Sequence, residues 1–289
     1  MSQLIPWESI DVGIALGPVE TDISERAMYA YQQDWDDPNP WYTDASPWGA
    51  PVAPPAFMAG LTGFNLLATR FNTRATVGVK TMHENLAPVF TKQKMTTRGR
   101  VADKYIKRGR EYVVVESSSY DQAGREFRRS CDHIMLSFEV SPHPDTVVSP
   151  SSPRPSTDVP ANPAPSPIDV PTMEKVVYQR ALATRAFSND SSHNDDNARK
   201  FGYPGALVSA YVLCGLMSEP MVAVFRESWF TSGQIALTFI GKGVQQGDKV
   251  SITGQTRRID DRRATIGLTM TRDGTAVVAG EASASVTDR

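Results

Sequence analysis

The stretch Arg185–Ala210 reads R-A-F-S-N-D-S-S-H-N-D-D-N-A-R-K-F-G-Y-P-G-A-L-V-S-A. Within it, Phe187–Asp196 holds three acids, one histidine, three serines and two asparagines behind a single apolar residue. Such side chains bond nearby backbone N–H groups and favour turns and helix N-caps. On that ground alone Asp190 or Asp195 caps a short helix through Asn197 and Lys200, with His193 at the surface. The glycine–proline turn F-G-Y-P-G follows, and then an apolar run. From Gly205 to Met217, Leu207, Tyr211, Cys214 and Met217 recur at spacings of four, three and three, while Ala206, Val208, Ala210, Val212 and Leu213 fill most other faces. A helix apolar almost all round is one buried by a sheet wrapped about it. The residues just before it lie where its N–H groups have no intrahelical partner.

The same order occurs earlier in the chain. Tyr42–Pro51 (Y-T-D…W-G-A-P) parallels His193–Pro204 (H-N-D…F-G-Y-P), with two extra residues in the second copy. An apolar stretch of helical length follows the first copy from Pro55 to Thr69. Downstream, Y-V-V-V-E-S-S-S from Tyr112 leads into Y-D-Q-A-G-R-E-F (Tyr120–Phe127), and A-T-I-G-L-T-M from Ala264 leads into T-R-D-G-T-A-V-V (Thr271–Val278). Both read as strand, tight turn, strand. Between the copies, Pro142–Pro171 holds ten of the 21 prolines, and proline's missing N–H and fixed φ sustain neither helix nor central strand. The chain thus divides into residues 1–141, a proline-rich connector over 142–171, and residues 172–289. A duplicated α+β unit is the economical architecture, each copy a long helix wrapped by an antiparallel sheet. The two sheets are expected to join into one.

Composition narrows the function classes. A formal net charge of −2 over 289 residues argues against nucleic acid as a partner, because non-specific binding is driven by phosphate neutralisation. The basic stretch Arg98–Arg110 is interrupted by Asp103 and followed by Glu111, and reads as a solvated strand-and-turn face. Cys131 and Cys214 stand alone, without metal-ligand spacing, so buried thiols are expected rather than a disulfide scaffold or a metal site. No basic-then-apolar leader and no run of membrane-spanning length is present. The expectation is a cytoplasmic protein with no membrane partner.

These residues resemble the MaoC-like, (R)-specific enoyl-thioester hydratases and dehydratases of the hot-dog fold, whose two-domain members fuse two units into a double hot dog. Arg185–Ala210 looks like the motif of the second unit, with F-G-Y-P-G as its most specific part. In the first unit, D-D-P-N-P-W-Y-T-D (Asp36–Asp44) followed by G-A-P-V-A-P-P-A-F (Gly49–Phe57) is similar to the family's N-terminal copy. V-Q-Q-G-D-K-V (Val244–Val250) looks like its glycine–aspartate lead into a strand. The resemblance implies a histidine and an aspartate five residues before it, which together hold the water. Here His193 takes the histidine position, Ser188 stands where the aspartate would be, and Asp190 where the family has asparagine. In the first copy Asp37 and Asn39 match, but Tyr42 replaces the histidine. The family's His-Gly pair, whose glycine N–H binds the thioester oxygen, reads Ser209-Ala210, and a backbone N–H survives that change. Tyr203 and Gly205 of the preceding turn are expected at the same substrate site.

Moving water across a double bond beside a thioester needs a base, an acid and donors for the enolate oxygen. His193 titrates near neutrality and suits either proton job. Asp190, three residues away, orients it or acts as base where burial raises its pKa. Ser188 is a candidate water ligand, and Asp37 a candidate acid from the degenerate copy, although D-P-N-P is also a strong turn sequence. His83 is expected at a strand edge or pocket wall, His133 in a structural role and His143 in the connector. Trp35, Trp41 and Trp48 read as core or domain-interface packing, or as the mouth of an aromatic site. The leading expectation is a lyase acting on an acyl substrate carried by coenzyme A or an acyl carrier protein, the carrier being part of the substrate and no cofactor or metal being required. The alternatives are a tailoring enzyme that isomerises, dehydrates or cyclises a bulky non-thioester substrate, and a non-catalytic hot-dog binding protein. A chain that is its own pseudo-dimer is expected as a monomer or a homodimer.

Overall fold

A computed structural model describes residues 5–146, 167–178, 192–260 and 262–286. Its strands are β1 (Ala15–Ile23), β2 (Val77–Asn85), β3 (Gln93–Lys107), β4 (Arg110–Tyr120), β5 (Glu126–Met135), β6 (Met173–Val176), β7 (Gln234–Phe239), β8 (Lys249–Ile259), β9 (Arg263–Arg272) and β10 (Thr275–Ser285). They form one sheet in the order β1-β3-β4-β5-β2-β7-β10-β9-β8-β6. Read from either end the order is the same five-strand pattern, so β1, β3, β4, β5 and β2 correspond to β6, β8, β9, β10 and β7. The halves meet at β2 and β7, which pair antiparallel from Lys80↔Thr238 to Glu84↔Gln234. Both expected tight turns are present, joining β4 to β5 and β9 to β10. Arg98 and Arg100 lie exposed along β3, as a solvated face requires. The chain up to Thr146 is tied to the first half through Ile106, and Ile168 is tied to the second through Thr256. Residues 147–166 of the connector lie outside the described residues.

The helices depart from the duplicated pattern. In the second half α4 runs from Ala210 to Phe225, with α3 (Asp195–Lys200) before it and α5 (Glu227–Ser232) after it. The expected start at Gly205 is corrected by five residues, because the intervening chain is held extended. Val208 N–H donates to Val244 O at 2.8 Å, and Leu207 bridges to Gln245. The helix also continues past Met217 to Phe225, where every residue but Glu219, Ala223 and Val224 of the added turns is buried. In the first half the Pro55–Thr69 helix is reduced to α2 (Thr62–Leu67) after a run of turns. Two prolines precede that run, and Met58 and Gly60 adopt positive φ of 60° and 75° within it. Left-handed backbone at two positions stops a right-handed helix from propagating.

A further helix, α1 (Glu25–Trp35), has no counterpart in the sequence reading. Ser24 caps it through the Ala27 N–H, and Met28, Tyr31, Asp34 and Trp35 form its buried face. That face packs on α4, and the largest apolar cluster therefore spans both halves, joining Tyr31, Trp35 and Phe57 to Tyr211, Met217 and Phe230. A smaller cluster of Leu16, Leu66, Leu67, Val101, Val113 and Ile134 is confined to the first half. Among the described residues no helix is long and apolar enough to cross a membrane.

Candidate active site

Hydrogen bonds show which residues of the two halves correspond. Val52 N–H donates to Trp41 O, and Leu207 N–H to Ser192 O, both at 2.9 Å. Ala53 N–H donates to Val89 O as Val208 N–H does to Val244 O. Tyr42 therefore occupies the place of His193, and Pro54-Pro55 the place of Ser209-Ala210. The span from Trp41 to Val52 is eleven positions and that from Ser192 to Leu207 is fifteen, so the second copy is longer by four residues, not two.

In the second half these residues border a cleft of about 440 Å³. It opens where the pairing of β2 with β7 ends at Lys80↔Thr238 and a bulge interrupts β2 between Gly78 and Lys80. His193, Tyr203, Ser209 and Ala210 line it from one half, and Phe64, Val77, Val79 and Met135 from the other. The walls are mostly apolar. Gly205 is not among the lining residues; it lies behind them, where a Cβ would come within 3.3 Å of Asp195 Oδ1.

His193 sits between a local turn and the start of α4. Its Nδ1 lies 2.6 Å from Leu207 O, and since a carbonyl only accepts, Nδ1 carries the hydrogen and Nε2 the lone pair. Part of the ring reaches the cleft, yet the apolar surroundings desolvate it and pull its pKa down to about 4, against a smaller upward effect of the Leu207 bond. His193 is thus a neutral base with a fixed tautomer near pH 7. The helix expected through Asn197 and Lys200 is present as α3, but Asn194 caps it rather than Asp190 or Asp195. Asp195 instead accepts from Ala206 N–H at 2.8 Å and ties α3 to the turn before α4. Asp190 and Ser188 lie outside the described residues. At the N-terminus of α4, Ser209 is the cap residue and Ala210 the first helical one, so the Ala210 and Tyr211 N–H groups have no intrahelical acceptor. Negative charge is favoured there.

Asp37 and Tyr42 are not brought to this cleft. Asp37 instead borders a separate hollow of about 610 Å³ with Trp41, Lys175, Glu219 and Arg226. Asp37 Oδ1 accepts from Asn39 N–H at 3.0 Å, the turn geometry that D-P-N-P favours. The first-half counterpart of the cleft has closed to a void of about 10 Å³. Pro54 and Pro55 bring no N–H to it, the buried Arg128 guanidinium donates to Pro55 O and Phe57 O, and Phe230 of α5 wedges against Trp41 and Trp48 at 5.7 and 5.2 Å. Trp41 and Trp48 are therefore packing between the halves, and Trp35 is core. His83 is in a central strand rather than at an edge, largely buried on the wall of a separate hollow of about 830 Å³. His133 is held by Tyr105 and His143 by Glu8.

No protein-family model and no curated protein matches the chain. Solved structures do. A MaoC-like dehydratase is similar over 96% of this chain and 98% of its own, with a TM-score of 0.74 and 15% identity. A MaoC domain protein dehydratase from Chloroflexus aurantiacus, itself assigned as putative, is similar over 98% of this chain and 97% of its own, at 0.71 and 12%. A conserved hypothetical protein from Mycobacterium tuberculosis with a double hotdog fold covers 96% of this chain and 97% of its own, at 0.64 and 13%. The two-fold repeat of strands, the single sheet and these likenesses agree: the chain has the double hot-dog fold found in MaoC-like dehydratases.

Proposed function

We propose that the chain is a hydro-lyase that adds water to an enoyl thioester or removes it from a β-hydroxyacyl thioester. The observation that carries this reading is a neutral histidine of fixed tautomer in the same apolar cleft as the N-terminus of a buried helix. In the hydration direction, His193 Nε2 takes a proton from water as the hydroxyl oxygen bonds to the β-carbon. The electron pair displaced to the thioester oxygen is stabilised by the Ala210 N–H, aided by the helix dipole. The imidazolium then returns the proton to the α-carbon, which completes the addition of one water. Asp190 is assigned to orient His193 or share its proton, and Ser188 to hold the water. The acyl chain lies along the apolar walls, and its carrier, coenzyme A or an acyl carrier protein, is part of the substrate. Two cysteines that are not bonded to each other suit a reducing, cytoplasmic compartment.

With crotonyl-CoA as substrate, His193→Ala is expected to lower kcat by about 10²–10⁴-fold, the usual contribution of a positioned general base, while its circular dichroism stays that of the parent. An unchanged rate would overturn the assignment. A second reading keeps the cleft and changes the substrate. Arg74 is the only lysine or arginine among the described lining residues, a sparse welcome for coenzyme phosphates that fits a bulky non-thioester substrate. That reading expects wild-type protein to leave crotonyl-CoA untouched.

A further inference from the structure

The inward face of β2 and β5 carries a buried polar chain that the proposed chemistry does not use. Ser130 Oγ lies 2.9 Å from His83 Nδ1, His83 Nε2 lies 2.7 Å from Thr81 Oγ1, and Thr81 Oγ1 donates to Asp132 Oδ1 at 2.5 Å. Because the Thr81 hydrogen is committed to the carboxylate, Thr81 accepts from His83 Nε2–H, and Nδ1 in turn accepts from Ser130. The chain ends at the Gly63 N–H, which donates to Asp132 Oδ2 at 2.9 Å. Register places Ile235, Leu237, Gly280 and Ala282 at the matching positions of β7 and β10. The fold is therefore built in its other half with no polar group at these four places, and burying four of them needs another reason.

Gly63 supplies that reason. It lies in the first turn of α2, where the broken helix leaves its N–H without an intrahelical acceptor. A Cβ on Gly63 would come within 2.8 Å of both Asp132 Cβ and Oδ2, so the carboxylate is seated against bare backbone. Three residues earlier, Gly60 at φ 75° is pressed onto the start of α4, where a Cβ would meet Ala210 C and Cβ at 3.0 Å and Tyr211 N at 3.1 Å. Gly60, Leu61, Phe64 and Asn65 form one wall of the cleft. We infer that Asp132 is a positioning residue: by holding the broken end of α2 it sets the Gly60–Asn65 wall against the N-terminus of α4, the end proposed above to receive the substrate oxygen. This deepens the hydro-lyase reading and rests on it for its catalytic consequence.

Hydrogen exchange tests the contact without requiring turnover. Asp132→Ala should speed exchange about tenfold or more in peptides covering 60–68 and 207–213, leaving β2 and β5 protected, as expected of a local opening. Asp132→Asn, whose amide oxygen still accepts from Gly63, should exchange like the parent. Unchanged protection at 207–213 in Asp132→Ala overturns the inference, as does Asp132→Asn behaving like Asp132→Ala. Where Asp132→Ala does not fold, Gly63→Ala breaks the same contact from the other side and is read in the same way. On crotonyl-CoA, Asp132→Ala should lower kcat/KM about tenfold, mainly through KM, with Asp132→Asn within about twofold of the parent. If the wild-type protein does not act on crotonyl-CoA, the hydro-lyase reading falls and the exchange comparison still decides the role of Asp132.

Discussion

His193 and Tyr42 occupy equivalent places in the two halves, yet only His193 lines the cleft beside the start of α4. The difference at the next pair of positions is as informative, since Ala210 brings an N–H to the cleft and Pro55 brings none to its closed counterpart. Proline is well tolerated at the first residue of a helix, and Ser209 already has the extended backbone (φ −72°, ψ 154°) that a following proline demands. Ala210→Pro should thus leave the fold intact while removing one donor from the proposed oxyanion site. Its expected cost is about 10²-fold in kcat on crotonyl-CoA, the scale set by single oxyanion-hole donors, and kcat at the parent level would show that the Ala210 N–H does no such work. The position of His193 was legible from its distance to F-G-Y-P-G. Its tautomer was not, because the acceptor on Leu207 lies fourteen positions further along the chain and is brought back by the intervening fold. Asp132 carried a fainter signal: in R-S-C-D-H-I-M-L, period-two alternation puts Ser130 and Asp132 on one face, and a face shared with buried neighbours marks an acid in need of a partner.

At the level of elements, α4 and α2 began as similar apolar stretches and ended unlike. α4 is continuous for sixteen residues, and its fit to α1 depends on one bare position. A Cβ on Gly215 would lie 2.1 Å from Trp35 Cε2, a ring that is 2% exposed with no room to retreat. Gly215→Ala should destabilise the protein by about 3 kcal/mol in denaturant unfolding, at the upper end of typical overpacking costs, despite the better helix propensity of alanine. A neutral or stabilising result would mean that Trp35 does not hold this place. Apolar content made both helices legible. Their true ends were not, because strand-like bonds to Val244 delay α4, and left-handed residues at Met58 and Gly60 shorten α2.

Across the molecule, duplication gave two similar frames, and divergence kept the cleft beside the start of α4 while closing its first-half counterpart. The polar content of the first half also gives the protein a pH signature. Burial, with a smaller effect of Arg128, pulls His83 down to about 3, well below the ordinary imidazole value of 6.5. A folded-state pKa below the unfolded one contributes stability above pH 6.5 that is lost as pH falls toward the folded value. His133 and His193, each near 4, act in the same direction. Asp132, raised to about 6 by burial, and Glu219, raised to about 7, act in the opposite one and favour the fold as pH falls. A single variant isolates one contribution from this sum. The stability difference between wild type and His83→Gln, measured by urea unfolding, should narrow by about 3 kcal/mol between pH 6.5 and 4; a constant difference would show that His83 titrates in the fold as it does in the unfolded chain.

What the sequence determined by itself was the repeat: two apolar helical stretches, two strand–turn–strand pairs, and a polar motif ahead of each helix, all properties of local periodicity and turn chemistry. Tertiary structure alone decided how the cleft beside His193 stays open while its first-half counterpart closes. That outcome depends on Phe230, Trp41 and Trp48 filling one end of the β2–β7 junction, on the bulge opening the other, and on Asp132 reaching Gly63 across 69 residues of chain. Such contacts join residues far apart in sequence, and spacing along the chain carries no record of them.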